Sequence, residues 1–227
     1  MSKIVWLKYD ETTNGVKEVA PVNGCVGFLD SGMGGMSIVE YLARKFPEKT
    51  FMFLKDSDNF PYGPKSKEEL VVIGQNCVNQ LLEYNPPMIC IACNTMCCAL
   101  TDPVSPVPIL RINEQIAKQV KQTLPAGKKI YIISTQATKN SNFYQDALKD
   151  YVVDAHATPE FVLMVEHNEI TKEKVAKVIL DKPFDSDGII LGCTHFNYLY
   201  DICHELLGDK VHIFDGLKNL EEYIINY

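Results

Sequence analysis

Short apolar runs of strand length alternate with amphipathic stretches along most of the 227-residue chain. The runs fall at residues 25–29, 51–54, 88–92, 109–112, 129–134, 152–156, 188–191 and 211–214. Isoleucine-rich runs with no polar partner read as parallel strands buried on both faces. Between them, apolar residues recur at helical spacing. The clearest case is Leu70, Ile73, Cys77, Leu81 and Leu82, opened by the capping box Ser66-Lys67-Glu68-Glu69 and stopped at Asn85-Pro86-Pro87. Further helices are expected over 36–45, 113–123, 141–149, 171–180, 196–207 and 217–225. Strand–helix alternation predicts an α/β fold with mainly parallel sheets flanked by helices. A crossover near Arg111 divides the pattern into two similar halves. Residues 25–111 form the first expected half, and the second begins at 112. Residues 1–24 stand outside the alternation. Asn14-Gly15 is a strong turn signal, so a hairpin appended to the first domain is expected, with an irregular extension as the alternative.

Two stretches echo one another. Met88-Ile89-Cys90-Ile91-Ala92-Cys93-Asn94-Thr95 and Gly188-Ile189-Ile190-Leu191-Gly192-Cys193-Thr194-His195 each run from apolar residues into a small residue, a cysteine and short polar residues. In open α/β sheets ligands sit just outside the carboxyl ends of the strands. Cys93 and Cys193 are therefore expected to offer one thiol each to a shared cleft. The first strand ends in Asp30-Ser31-Gly32-Met33-Gly34-Gly35, a turn whose following helix start favours an anion. It is not a dinucleotide fingerprint, because Ser37 stands where the third glycine is needed, and no Gly-Lys-Ser/Thr follows for a phosphate loop. A small carboxylate suits it better. Cys90, Cys93, Cys97 and Cys98 suggest a metal site, but residues 90 and 93 of a strand face opposite ways and no second C-x2-C completes a ligand set. No metal is expected.

Charge narrows the partners. A net charge of −7 argues against nucleic acid as a main partner, since phosphate binding needs a lysine and arginine surplus. No apolar run is long enough to cross a bilayer, and the start, MSKIVWLKYDE, is unlike a signal peptide. A cytoplasmic protein is expected, in which the eight cysteines are thiols rather than disulfides. A stabilised thiolate is a good base. Two thiols facing each other can remove a proton from one face of a carbon and deliver one to the other, which is racemisation. Asp30 and His195 are to hand, and Ser31, Asn94, Thr95, Thr138 and Thr194 are short polar groups suited to holding carboxylates. Two other readings stand beside this one: Cys193 with His195 as nucleophile and base, and thiols that are simply buried.

At this point the motifs resemble a family. Residues 29–37, Leu-Asp-Ser-Gly-Met-Gly-Gly-Met-Ser, resemble the opening motif of glutamate racemases. Phe60-Pro61-Tyr62-Gly63 resembles their substrate loop, Ala92-Cys93-Asn94-Thr95 their first cysteine motif and Gly192-Cys193-Thr194-His195 their second. Ser134-Thr135-Gln136-Ala137-Thr138 is similar to their threonine-rich turn, and the stretch from Thr158-Pro159 to Val165-Glu166 to the one carrying their glutamate. The likeness spans about residues 25–215. It implies a cofactor-independent amino-acid racemase of two pseudo-symmetric α/β domains with the active site in the interdomain cleft, the second domain, 112–209, being inserted so that residues 25–111 with a returning segment 210–227 form the first. It also implies that Cys93 and Cys193 are the acid/base thiols, with Asp30 tuning the first, and His195 with Glu166 the second. Ser31, Pro61, Tyr62, Gly63, Asn94, Thr95, Thr138 and Thr194 would bind glutamate. D-glutamate for peptidoglycan would be the product and a homodimer the expected assembly. Phe196-Asn197 replaces the family's usual Tyr-Pro, and Asp215-Gly216 its usual Asp-Ser. His195 favours glutamate over aspartate, since aspartate racemases of this plan usually carry Glu there. An aspartate racemase, or a binding protein on the same fold, is the remaining alternative.

Overall fold

The computed structural model describes residues 2–181 and 183–227. The chain opens with β1 (Lys3–Asp10) and β2 (Gly15–Val19), then β3 (Val26–Asp30), α1 (Gly34–Lys45), β4 (Thr50–Lys55), α2 (Lys67–Leu82), β5 (Ile89–Ile91), α3 (Asn94–Ala99) and β6 (Ile109–Arg111). The second half runs through α4 (Ile112–Thr123), β7 (Lys129–Ser134), α5 (Gln136–Asn140), α6 (Phe143–Ala147), β8 (Val152–Ala157), α7 (Pro159–Glu166), α8 (Lys172–Ile179) and β9 (Gly188–Gly192). A 3-10 turn (Thr194–Leu199), α9 (Tyr200–Leu207), β10 (His212–Phe214) and α10 (Leu217–Ile224) complete it.

These strands make two sheets. The first has the order β2-β1-β4-β3-β5-β6, the second β10-β9-β7-β8. All pairs of the second sheet are parallel, as are β4-β3-β5-β6 of the first. The central strands β3, β5 and β9 are buried throughout, which is why their sequences are apolar without alternation. Helices cover the faces: Ile38, Val39 and Leu42 of α1 and Val78 and Leu81 of α2 are fully buried in the first half. The capping box of α2 forms as expected, with Ser66 and Glu69 satisfying each other's backbone N–H groups. Among the described residues no helix is long and apolar enough to cross a membrane.

Three expectations change in detail. The N-terminal hairpin does form, with Asp10 opposite Gly15 across the Asn14 turn, but it is built into the first sheet: β1 pairs antiparallel with β4 and buries Trp6 and Leu7. The segment 210–227, expected to return to the first domain, divides. Its strand β10 pairs in parallel with β9 and extends the second sheet, while α10 packs against α4 and α1. The sharp turn at Gly216, in the left-handed region at φ 78°, separates the two. The helix expected over 141–149 is only the short α6, and the polar turn before it forms the short α5; Asn142, at a positive φ of 56°, stands between them.

The halves meet most closely where α1 begins. Gly34 faces the turn after β9, and a Cβ there would lie 2.6 Å from the backbone N of His195 and 2.3 Å from Thr194 Oγ1. Backbone atoms cannot yield as a flexible side chain would. Gly34→Ala is therefore expected to cost about 1–3 kcal/mol through overpacking, measured as a lowered midpoint of urea unfolding.

Candidate active site

Both cysteine motifs end strands in the middle of their sheets. β5 lies between β3 and β6, and β9 between β10 and β7. After each, the chain turns into a helical segment, so Cys93 and Cys193 stand at the last extended positions, each 7% exposed. Both line one cavity of about 500 Å³. Its other walls come from the strand end at Ser31, from the loop residues Phe60, Pro61, Tyr62, Gly63 and Pro64, and from Thr95, Thr135 and Gln136. Pro159, Val162 and Leu163 of α7 and the pair Thr194 and His195 close it.

The surroundings of the two thiols differ. Cys193 Sγ lies 3.7 Å from His195 Nδ1, and His195 Nε2 lies 2.6 Å from Glu166 Oε1. Burial works against a charge on this imidazole, but the Cys193 sulfur, the Asp30 charge and the Glu166 carboxylate outweigh it and raise the ring to about 9. A doubly protonated ring can donate to the sulfur on one side and the carboxylate on the other. Cys93 has no such cation. Burial pushes its thiol well above the ordinary range, and the negative charges of Asp30 and Cys193 push the same way, against the Met96 backbone N–H at the start of α3. One thiol thus has an imidazole beside it, while the other is raised by burial and by the charges around it.

Asp30 joins the two sides. Fully buried at the end of β3, it accepts hydrogen bonds from the Gly32 N–H at 2.9 Å and from Thr194 Oγ1 at 3.0 Å. Burial raises its carboxyl, and the His195 charge, these two donors and the Gly35 N–H pull it back. Its direct side-chain partner is the turn of the second cysteine. Its influence on Cys93 is through charge.

Of the residues expected from sequence, Ser31, Pro61, Tyr62, Gly63, Cys93, Thr95, Cys193, Thr194 and His195 line the cavity. Asp30, Asn94, Thr138 and Glu166 stand a layer behind. Asn94 Oδ1 accepts from the Tyr144 hydroxyl at 2.6 Å, so the acceptor end of its side chain is already engaged. Thr138 Oγ1 accepts from Thr135 Oγ1 at 3.0 Å, and Thr135 and Thr95 hydroxyls lie 2.9 Å apart. Thr135, with Gln136 beside it, is the part of this turn that lines the cavity. Its place was readable as a cap: the hydroxyl accepts from the Thr138 N–H at the start of α5. The apolar wall from Pro159 to Leu163 was not foreseen as such, since a short apolar run gives no face. Among the described residues no cluster of His, Cys, Asp and Glu is placed to hold a metal ion, and all eight cysteines are free thiols.

A family model described as Asp/Glu/Hydantoin racemase matches residues 36–220, most of the chain. The chain belongs to the aspartate/glutamate/hydantoin racemase family. Within that family it is 31% identical over 207 residues to a glutamate racemase of Bacillus cereus, covering 85% of this chain and 76% of that one. Its fold is similar to the crystal structure of the Campylobacter jejuni glutamate racemase, with a TM-score of 0.78 at 27% identity, covering 88% and 84% of the two chains. A Thermus thermophilus glutamate racemase, solved in complex with β-chloro-D-alanine, matches with a TM-score of 0.77 at 28% identity over 90% and 80%. Both pairings fit this racemase-family chain to an α/β scaffold of mainly parallel sheets flanked by helices.

The His195 ring supplies a pH test. Its folded-state value, about 9, lies above the ordinary 6.5, so its contribution to stability is complete below about pH 6.5 and is lost as pH rises through 9. Glu166→Gln removes one of the charges responsible. The midpoint of a His195 titration followed by proton NMR is expected to fall by about one unit in that variant. The gap in thermal stability between wild type and variant should be widest near pH 6 and narrow above pH 9.

Proposed function

We propose that this protein interconverts L- and D-glutamate without a cofactor, supplying D-glutamate for peptidoglycan. The observation that carries the reading is the pair of thiols at equivalent strand ends, both open to one cavity and unequally supported. Cys193, beside the His195 imidazolium, serves as a thiolate that takes the α-proton from one face of the substrate. Cys93, kept protonated by burial and by Asp30, gives a proton to the opposite face. In the reverse direction the roles exchange.

Glu166 and Asp30 act through His195 and Thr194 and orient the second thiol. The hydroxyls of Ser31, Thr95, Thr135 and Thr194, with the backbone around Gly63, are the groups suited to receive the substrate carboxylates. Among the described residues, neither lysine nor arginine lines the cavity. Stabilisation of the carbanion therefore falls to fixed dipoles and to the enclosure itself, where electrostatic interactions are stronger than in water. A homodimer in the cytoplasm remains part of the proposal.

L-glutamate incubated in deuterium oxide with no added pyridoxal phosphate is expected to exchange its α-proton and appear as D-glutamate. Cys93→Ala and Cys193→Ala should each lower the racemisation rate by about a thousandfold or more, followed by circular dichroism. A substrate panel with aspartate separates the two acidic substrates. Wild-type-like turnover in either cysteine variant excludes the two-thiol mechanism.

A further inference from the structure

Asp56, one residue beyond β4, is 1% exposed and takes no part in the scheme above. A buried carboxylate is costly unless fully hydrogen-bonded, and this one is. Ser2 Oγ donates to Oδ1 at 2.6 Å, the Tyr62 hydroxyl donates to Oδ2 at 2.7 Å, and Asn59 Nδ2 lies 3.0 Å from both oxygens. Its backbone N–H donates to the carbonyl of Asp30 at 2.9 Å. One residue is thereby tied to the end of the strand that carries Asp30, to the loop walling the cavity, and to the start of β1.

The reach of Ser2 follows from sheet register. β1 runs antiparallel to β4 with Lys3 opposite Lys55, which sets Ser2 across from Asp56. Ser2 is fastened further along the same loop: its N–H donates to Asp58 Oδ2 at 2.9 Å, and its hydroxyl accepts from the Asp58 N–H at 3.2 Å. Tyr62, on the other side of Asp56, is 2% exposed and lines the cavity. The path from the hairpin to the cavity wall is thus two hydrogen bonds long.

We propose that Asp56 is a positioning residue for the loop 60–63 and that Ser2 is its outer fastener, so that the N-terminal strand sets how firmly this wall of the cavity is held. The proposal rests on this cavity being the site of racemisation. Neither residue touches the reacting atoms. Loosening them lowers the share of molecules whose loop stands where Tyr62 is bonded to Asp56, which substrate binding must then restore, so the loss should fall on KM rather than on kcat. Asn59 donates to both carboxylate oxygens, so an amide at position 56 necessarily sets one donor against another, whichever way it turns.

Two measurements test this: steady-state kinetics with glutamate, and amide hydrogen exchange of the peptide spanning 57–64 in the unliganded protein. Ser2→Ala is expected to raise KM about tenfold with kcat within about twofold of wild type, and to speed exchange of that peptide about tenfold. Asp56→Asn should raise KM at least as far, and adding Ser2→Ala to it should change little further, since both act through one carboxylate. Should Asp56→Asn fail to fold, Ser2→Ala alone decides. Unchanged KM and unchanged loop exchange in Ser2→Ala, or a fall in kcat at constant KM, overturns the proposal. Should the wild type not racemise glutamate, the functional reading fails by itself, and the exchange measurement still decides whether Ser2 holds the loop.

Discussion

The buried carboxylate of Asp30 is the constraint on which the rest of the site depends. It stands where the first sheet ends, and its hydrogen bond from Thr194 crosses to the turn that carries the second cysteine. A charge this deep is tolerated only with donors and an opposite charge beside it, and Gly32, Thr194 and His195 supply them. The glycine-rich turn has a steric reason as well. A Cβ on Gly35 would come 2.4 Å from the Cβ of Asp30, so α1 can pass this close only without a side chain there. The motif thus serves to bring a helix start, a carboxylate and the opposite cysteine turn into contact.

From that contact a line of side chains extends: Cys193, His195 and Glu166, with Asp30 alongside. Each member is defined by its neighbours more than by its own chemistry. His195 is raised because its neighbours favour an imidazolium in spite of burial, whereas Cys93 is raised first by burial and then by the Asp30 charge, which disfavours a thiolate. The same fold delivers both environments because the sequences after β5 and β9 differ: Asn94-Thr95 follows one cysteine and Thr194-His195 the other.

Much of this was legible in the chain itself. Buried parallel strands advertise themselves by unbroken apolar runs, and a small residue and cysteine at a run's end marks the place where ligands meet α/β sheets. Depth within the site was not legible. Asn94, Thr95, Thr135 and Thr138 are all short polar residues near strand ends, yet Thr95 and Thr135 face the cavity while Asn94 and Thr138 are bonded behind it. That distinction depends on the phase of α3 and α5, each a turn or two long, where one residue rotates a side chain by about 100°. The destination of β10 was hidden for another reason. Three residues, His212–Phe214, can extend either sheet, and only the geometry of their neighbour β9 selects one. The hairpin announced itself through Asn14-Gly15, but its partner β4 is a matter of which sheet edge lies open.

The unequal support of the two thiols has a thermodynamic consequence. Mirror-image amino acids have the same free energy in water, so a catalyst that interconverts them faces an equilibrium constant of one. The ratio of kcat to KM must then be equal in the two directions, however different the two faces of the cavity are. A histidine and a glutamate behind one sulfur, and neither behind the other, can make turnover faster toward one enantiomer only if that direction also starts from the more weakly held substrate. The asymmetry around Cys193 is therefore one of occupancy: it governs which enantiomer rests longer in the cavity at a given concentration, and leaves the final mixture untouched.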